Sequence, residues 1–127
     1  MIDDLKREQV ITVTYVNRKY QIYLCNVTKN RYIPLQKITS LDLLLQMPME
    51  IKQFVKKPGI VFSIRYQTDK KLYQLRLKRQ KSSGSYQPIL KVKSYTMEDA
   101  WNLMRYAFLH LILEQNNQQR KILQKRK

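Results

Sequence analysis

Cysteine, glycine and histidine are nearly missing from this chain, and their scarcity closes off most kinds of chemistry. One cysteine, Cys25, in 127 residues excludes an intramolecular disulfide framework and fits a reducing compartment. Its neighbours Leu24 and Val27 point to a buried, inert thiol rather than a nucleophile. Two glycines, Gly59 and Gly84, are too few for a glycine-rich phosphate loop. The lone histidine, His110, lies beside the apolar stripe of a helix-like segment, where a structural or solvent-facing imidazole is expected before a general base. No His, Cys, Asp and Glu set has the spacing of a metal site. The expectation is therefore a protein without catalysis, metal or cofactor.

Long apolar runs are missing too. No stretch of eighteen apolar residues exists to cross a bilayer. Met1-Ile2-Asp3-Asp4-Leu5 has acids where a signal peptide needs positive charge. These features predict an intracellular protein with no membrane association, nuclear if the cell is eukaryotic.

Acids are scarce as well, and this absence says most about function. Nine Asp and Glu face 25 Lys and Arg, a net charge of +16. Such an excess repels itself in the folded state, so a polyanion is the natural partner. The excess is uneven: residues 1–58 hold ten basic and five acidic side chains, residues 59–127 fifteen and four. Asp42, Asp69, Glu98 and Asp99 are best explained as helix-cap and turn residues.

What the chain does have is an echo of itself. Tyr20-Gln21-Ile22-Tyr23-Leu24, then Tyr32-Ile33-Pro34-Leu35-Gln36-Lys37-Ile38, then a helix-like stretch after Thr39-Ser40, return about fifty residues later. The second passage is Tyr73-Gln74-Leu75-Arg76-Leu77, then Pro88-Ile89-Leu90-Lys91-Val92, then a helix after Thr96. Fixed-period similarity of this kind points to a duplicated unit. The expected fold is α+β: two βββα units, their antiparallel sheets each covered by a C-terminal helix. Residues 1–58 would form a supporting or docking unit and 59–115 a basic unit. Residues 116–127 read as a disordered basic tail.

Element by element, Gln9 to Val16 is β-branched and alternating, a good strand. Asn17-Arg18-Lys19 turns into a second strand over 19–27, and a third follows over 32–38. Pro34 in the third cannot donate to a ladder, which argues for a sheet edge. Ser40 can cap a helix, with Asp42 near its positive end. Leu41, Leu44, Leu45, Ile51, Phe54 and Val55 share an apolar face, and Pro48 must kink or split it. After Lys56-Lys57-Pro58-Gly59, strands are expected over 60–68, 72–79 and 87–94. Thr96 caps the last helix, whose stripe is Ala100, Leu103, Met104, Ala107, Phe108, Leu111 and Ile112, widened by Trp101 and Tyr106.

The period of two then gives the candidate site. If Tyr73, Leu75, Leu77, Leu90 and Val92 face the helix, Gln74, Arg76, Lys78, Lys91 and Lys93 face away, joined by Arg65 and Gln67. Arginine and glutamine can read base edges and lysine neutralises phosphates. No acid interrupts this set. Arg79, Lys81, Lys121, Lys125 and Arg126 are candidate secondary phosphate contacts.

The run Lys91-Val92-Lys93-Ser94-Tyr95-Thr96-Met97-Glu98-Asp99-Ala100 leads three strands into a helix and resembles the AP2 DNA-binding fold. Arg65-Tyr66 and Lys71-Leu72-Tyr73-Gln74-Leu75-Arg76 resemble that family's first two strands. The resemblance covers about residues 60–112 and implies sheet-mediated contact in the DNA major groove, through Arg65, Arg76, Lys78, Lys91 and Lys93. The loop before the third strand is longer than in the family, and the glycine often found entering that strand is missing.

A small nucleic-acid-binding protein is thus expected, DNA favoured over RNA because no strand shows the paired exposed aromatics of an RNA-stacking sheet. Tyr15, Tyr23, Tyr32, Tyr66 and Tyr86 offer rings for single-strand stacking. A related option is a single-strand binder of the whirly kind, whose units are also strands followed by a helix. The alternative is a non-catalytic, ribosome-associated or other nucleoprotein subunit, docking on a protein through the apolar helices.

Overall fold

Valine, isoleucine, threonine and tyrosine pack well on pleated surfaces, and the chain forms strands where they concentrate. In a computed structural model describing residues 9–28, 31–39 and 42–125, with side chains to Arg120, three strands come first. They are β1 (Gln9–Val16), β2 (Lys19–Thr28) and β3 (Arg31–Lys37). Two short helices, α1 (Asp42–Gln46) and α2 (Met49–Val55), follow. Then come β4 (Ile60–Gln67), β5 (Leu72–Gln80), β6 (Tyr86–Ser94) and α3 (Met97–Lys125).

Local chemistry accounts for the joints. Asn17 and Arg18 have φ of 53° and 64° between paired Val16 and Lys19, the left-handed pair that a two-residue hairpin requires. Pro48 separates α1 from α2, and its carbonyl accepts from the backbone of Ile51 and Lys52 at 3.1 Å each. The expected break at Pro48 is therefore a division into two helices. Thr96 Oγ1 accepts from the Asp99 backbone N–H at 3.1 Å, capping α3 as expected. Ser40 and Leu41 lie outside the described residues.

All six strands join one antiparallel sheet in the order β3-β2-β1-β4-β5-β6, not two sheets. The correction comes from β1, whose second edge pairs with β4 through Ile11–Ile64, Thr12–Ser63 and Val13–Phe62. An open strand edge seeks a partner for its backbone groups whatever its side chains, so alternation alone could not reveal this pairing. Pro34 and Pro88 lie on the two edge strands, where a missing donor costs no ladder bond.

The helices cover one face. Ile11, Val13, Ile22, Phe62, Ile64, Leu75 and Leu77 meet Leu43, Ile51 and Val55 from the short helices and Met47 from the joint between them. Ala100, Trp101, Met104 and Phe108 of α3 complete that core. Phe62 and Trp101 stack with centroids 5.3 Å apart, and Phe54 meets Phe108 edge-on at 5.0 Å. Two expectations for the stripes are corrected. Trp101 is central while Leu103 and Tyr106 are exposed, and Leu43 replaces the exposed Leu45.

The segment from Asn116 to Lys125, expected as a disordered tail, continues α3. It contains no glycine or proline, and Gln, Lys and Arg propagate a helix readily. Arg126 and Lys127 lie outside the described residues.

Candidate nucleic-acid interface

Cross-strand register builds the site. On the helix-free face, Arg65 pairs with Gln74 and Gln74 with Lys93. One rung further, Ser63 pairs with Arg76 and Arg76 with Lys91. Beyond that, Val61 pairs with Lys78 and Lys78 with Pro88. Arg65, Arg76, Lys78, Lys91 and Lys93 therefore occupy three adjacent rungs of one surface.

These cations feel one another. Arg76 first, and then Lys93, make it harder for Lys91 to keep its proton, pushing its pKa down although Lys91 is exposed. The folded chain thus holds that proton less tightly than the unfolded chain. Its contribution to stability therefore rises with pH through the range just below the ordinary lysine value. Replacing Arg76 by Gln should move the Lys91 titration back up, followed by NMR of the lysine side-chain resonances. An unmoved titration would mean that the two cations are not neighbours in solution.

Burial distinguishes the seven expected contact residues. Lys91 and Lys93 are exposed, and Arg65, Gln67, Arg76 and Lys78 are half-buried. Gln74, expected as a surface contact, is only 1% exposed and forms part of the floor. Gln74 Oε1, Gln67 Oε1 and Arg76 Nε are buried without a hydrogen-bond partner among the described residues, as is Trp101 Nε1 on the helix side. Unpaired buried groups are uncommon in folded proteins. Three such atoms on one basic face are positions where a bound partner could supply the missing bond.

The floor is polar where a solvent-facing sheet would be wet. Thr12, Ser63 and Gln74 are buried, together with Val10, Cys25 and Val61 of the same face. Thr12 Oγ1 lies 3.4 Å from Cys25 Sγ, and burial raises the thiol's pKa, in keeping with an inert cysteine. The cause of the burial is curvature. In a flat six-stranded sheet the edge strands would stand about 24 Å apart. Here Tyr32 of β3 and Tyr86 of β6 meet edge-on with ring centroids 5.2 Å apart. Lys78 Nζ sits 5.3 Å from the centre of the Tyr32 ring. Sheet twist brings opposite corners of the sheet together, giving a concave face with an aromatic seam.

The secondary contacts divide. Lys81 is exposed in the β5–β6 loop. Arg79 lies at the helix side, lining a groove with Phe54, Ile89 and Phe108. Alternation along β5 separates it from the basic face, since Arg79 follows Lys78 and pairs with the core residue Ile60. Lys121 and Lys125 fall on the last turns of α3, and Arg126 is outside the described residues. His110 is exposed against Tyr106, with ring centroids 4.8 Å apart. Among the described residues no three His, Cys, Asp or Glu side chains gather, and no helix is long and apolar enough to cross a membrane.

Tyr32 and Tyr86 are among the rings expected for stacking, but alternation within each strand does not join them. The Tyr-x-Pro spacing shared by Tyr32–Pro34 and Tyr86–Pro88 was the signal that could have done so. Comparison with protein-family models, with curated proteins and with solved structures finds no match.

Proposed function

We propose that this chain is a non-catalytic nucleic-acid-binding protein whose concave basic face holds a single strand, DNA before RNA. The observation that carries the reading is the acid-free set Arg65, Arg76, Lys78, Lys91 and Lys93 on adjacent rungs, with Lys91 held below its ordinary pKa by its neighbours. Cations crowded at a cost to their own protonation gain most when a polyanion arrives. The curvature favours a single strand over the duplex of the AP2-like mode. A sheet laid in a major groove must present its face outward, whereas here the corners fold over it.

We also infer that the two halves are a duplicated βββα unit that has divided the labour. The Tyr15–Tyr20 contact at 4.9 Å has a counterpart in Tyr66–Tyr73 at 4.8 Å. Register irregularities follow Leu24 and Leu77 alike, with Pro34 and Pro88 just beyond them. Where the second half has Arg65, Arg76 and Lys78, the first has Thr14, Tyr23 and Cys25. Lys37 corresponds to Lys91 without the arginine neighbour. Lys37→Glu should therefore weaken oligonucleotide binding much less than Lys91→Glu in equilibrium titrations. Equal losses would mean that both halves bind.

A second reading rests on a different surface. Leu103, Tyr106, Leu109, Ile112 and Leu113 leave exposed apolar area along α3, suited to a protein partner. Titrating single-stranded DNA, RNA and duplex of matched length against salt tests the choice. Steep loss with salt supports the basic face, while a protein complex that persists in high salt supports docking.

A further inference from the structure

We propose that the cleft at the Tyr32–Tyr86 seam is the subsite for one unstacked base of the bound strand. The inference rests on the single-strand reading and adds to it the contact that separates single strand from duplex. The cleft measures about 550 Å³ and is lined by Arg31, Tyr32, Gln80, Tyr86 and the Ser83-Gly84-Ser85 loop.

Each lining group suits a nucleotide. Tyr32 and Tyr86 are half-buried, so their rings are anchored yet reach the cleft, and every base has a π-face to stack on them. Arg31, and Lys78 over the Tyr32 ring, supply positive charge for the adjoining phosphates. Ser83 and Ser85 hydroxyls lie 3.0 Å apart, and Gln80 Nε2 donates to the Gly84 carbonyl at 3.2 Å, shaping the loop. Gly84 has φ of +90° with open space where a Cβ would stand, so the loop tip presents backbone to the cleft rather than side chain.

Position joins the cleft to the basic lane. Lys78 pairs with Pro88, two residues from Tyr86. Arg76 follows two residues along β5, roughly 6.6 Å away at strand spacing, and Gln74 with Lys93 as far again. An extended strand can place a base at the seam and its next phosphates over Arg76, Lys91 and Lys93. A base already paired in a duplex cannot enter.

The test titrates the full chain with a single-stranded oligothymidine and with a duplex of equal length. Tyr86→Ala should lose about tenfold in single-strand affinity, within the range for one stacked base, with an unchanged salt slope. Tyr86→Phe, which keeps the ring, should bind as the parent does, and neither change should alter duplex affinity. Photo-cross-linking the unaltered chain to a 5-iodouracil oligonucleotide should modify Tyr32 or Tyr86, and decides the matter if Tyr86→Ala does not fold. Parental affinity in folded Tyr86→Ala, or cross-links elsewhere, would overturn the subsite. If Arg76→Glu with Lys91→Glu still abolished binding, the basic face would stand without it. If neither change mattered, both readings would fall.

Discussion

Arg76→Glu combined with Lys91→Glu is expected to weaken binding to single-stranded DNA by roughly 100-fold or more. Each lost charge-assisted hydrogen bond is worth about 1.5 kcal/mol or more, and each new carboxylate adds repulsion. If the five cations of the face each neutralise one phosphate, log K should fall against log salt with a slope of about −3.5. Removing two of them should flatten that slope by about 1.4. The double variant should still melt cooperatively, because Lys91 is exposed, Arg76 is half-buried, and neither belongs to the apolar core. The measurement is a salt-dependent titration beside thermal melting of the same sample. Parental affinity in a folded double variant would defeat the sheet-face reading and direct attention to Lys121 and Lys125 on α3.

Phe62→Ala should have the largest effect on stability. Phe62 is fully buried, stacks on Trp101, and lies in β4 at the junction with β1. Truncation removes the Phe62–Trp101 stack between sheet and α3 at the point where the two halves join. A loss of about 3–5 kcal/mol is expected, because the cavity cannot collapse within a paired strand. That is a large part of the roughly 5–15 kcal/mol by which domains of this kind are stable. Melting temperature should drop by roughly 10–20 °C. A drop of only a few degrees would mean that β1–β4 pairing and the α3 contact contribute little to the fold.

The two experiments address opposite faces of the sheet. Alternation sends Leu75 and Leu77 toward the helices and Arg76 and Lys78 away from them. Binding can therefore be lost while the core stays intact, and stability lost while the basic residues remain.

Local patterns carried much of the description. Alternation in 9–16, 60–68 and 72–79 marked strands to within a residue, Pro48 marked the helix break, Thr96 the cap, and Pro34 the edge. These features were legible because each depends on residues within a few positions: a missing donor, a hydroxyl at a helix start, a period of two. The exposure of Leu103 and Tyr106, the central place of Trp101 and the continuation of α3 past Asn116 were not. Each depends on where the helix sits over the sheet, or on helix propagation through a segment whose composition reads equally as a tail.

By itself, then, the sequence determined the element order, the excess positive charge and the residues sharing the basic face. Those properties follow from composition and period, which need no knowledge of distant neighbours. Tertiary structure alone decided that six strands make one sheet, that Gln74 is floor rather than surface, and that Tyr32 meets Tyr86. The β1–β4 pairing joins backbone groups about fifty residues apart, and the seam arises from twist accumulated across all six strands. Neither leaves a mark on any short stretch of side chains.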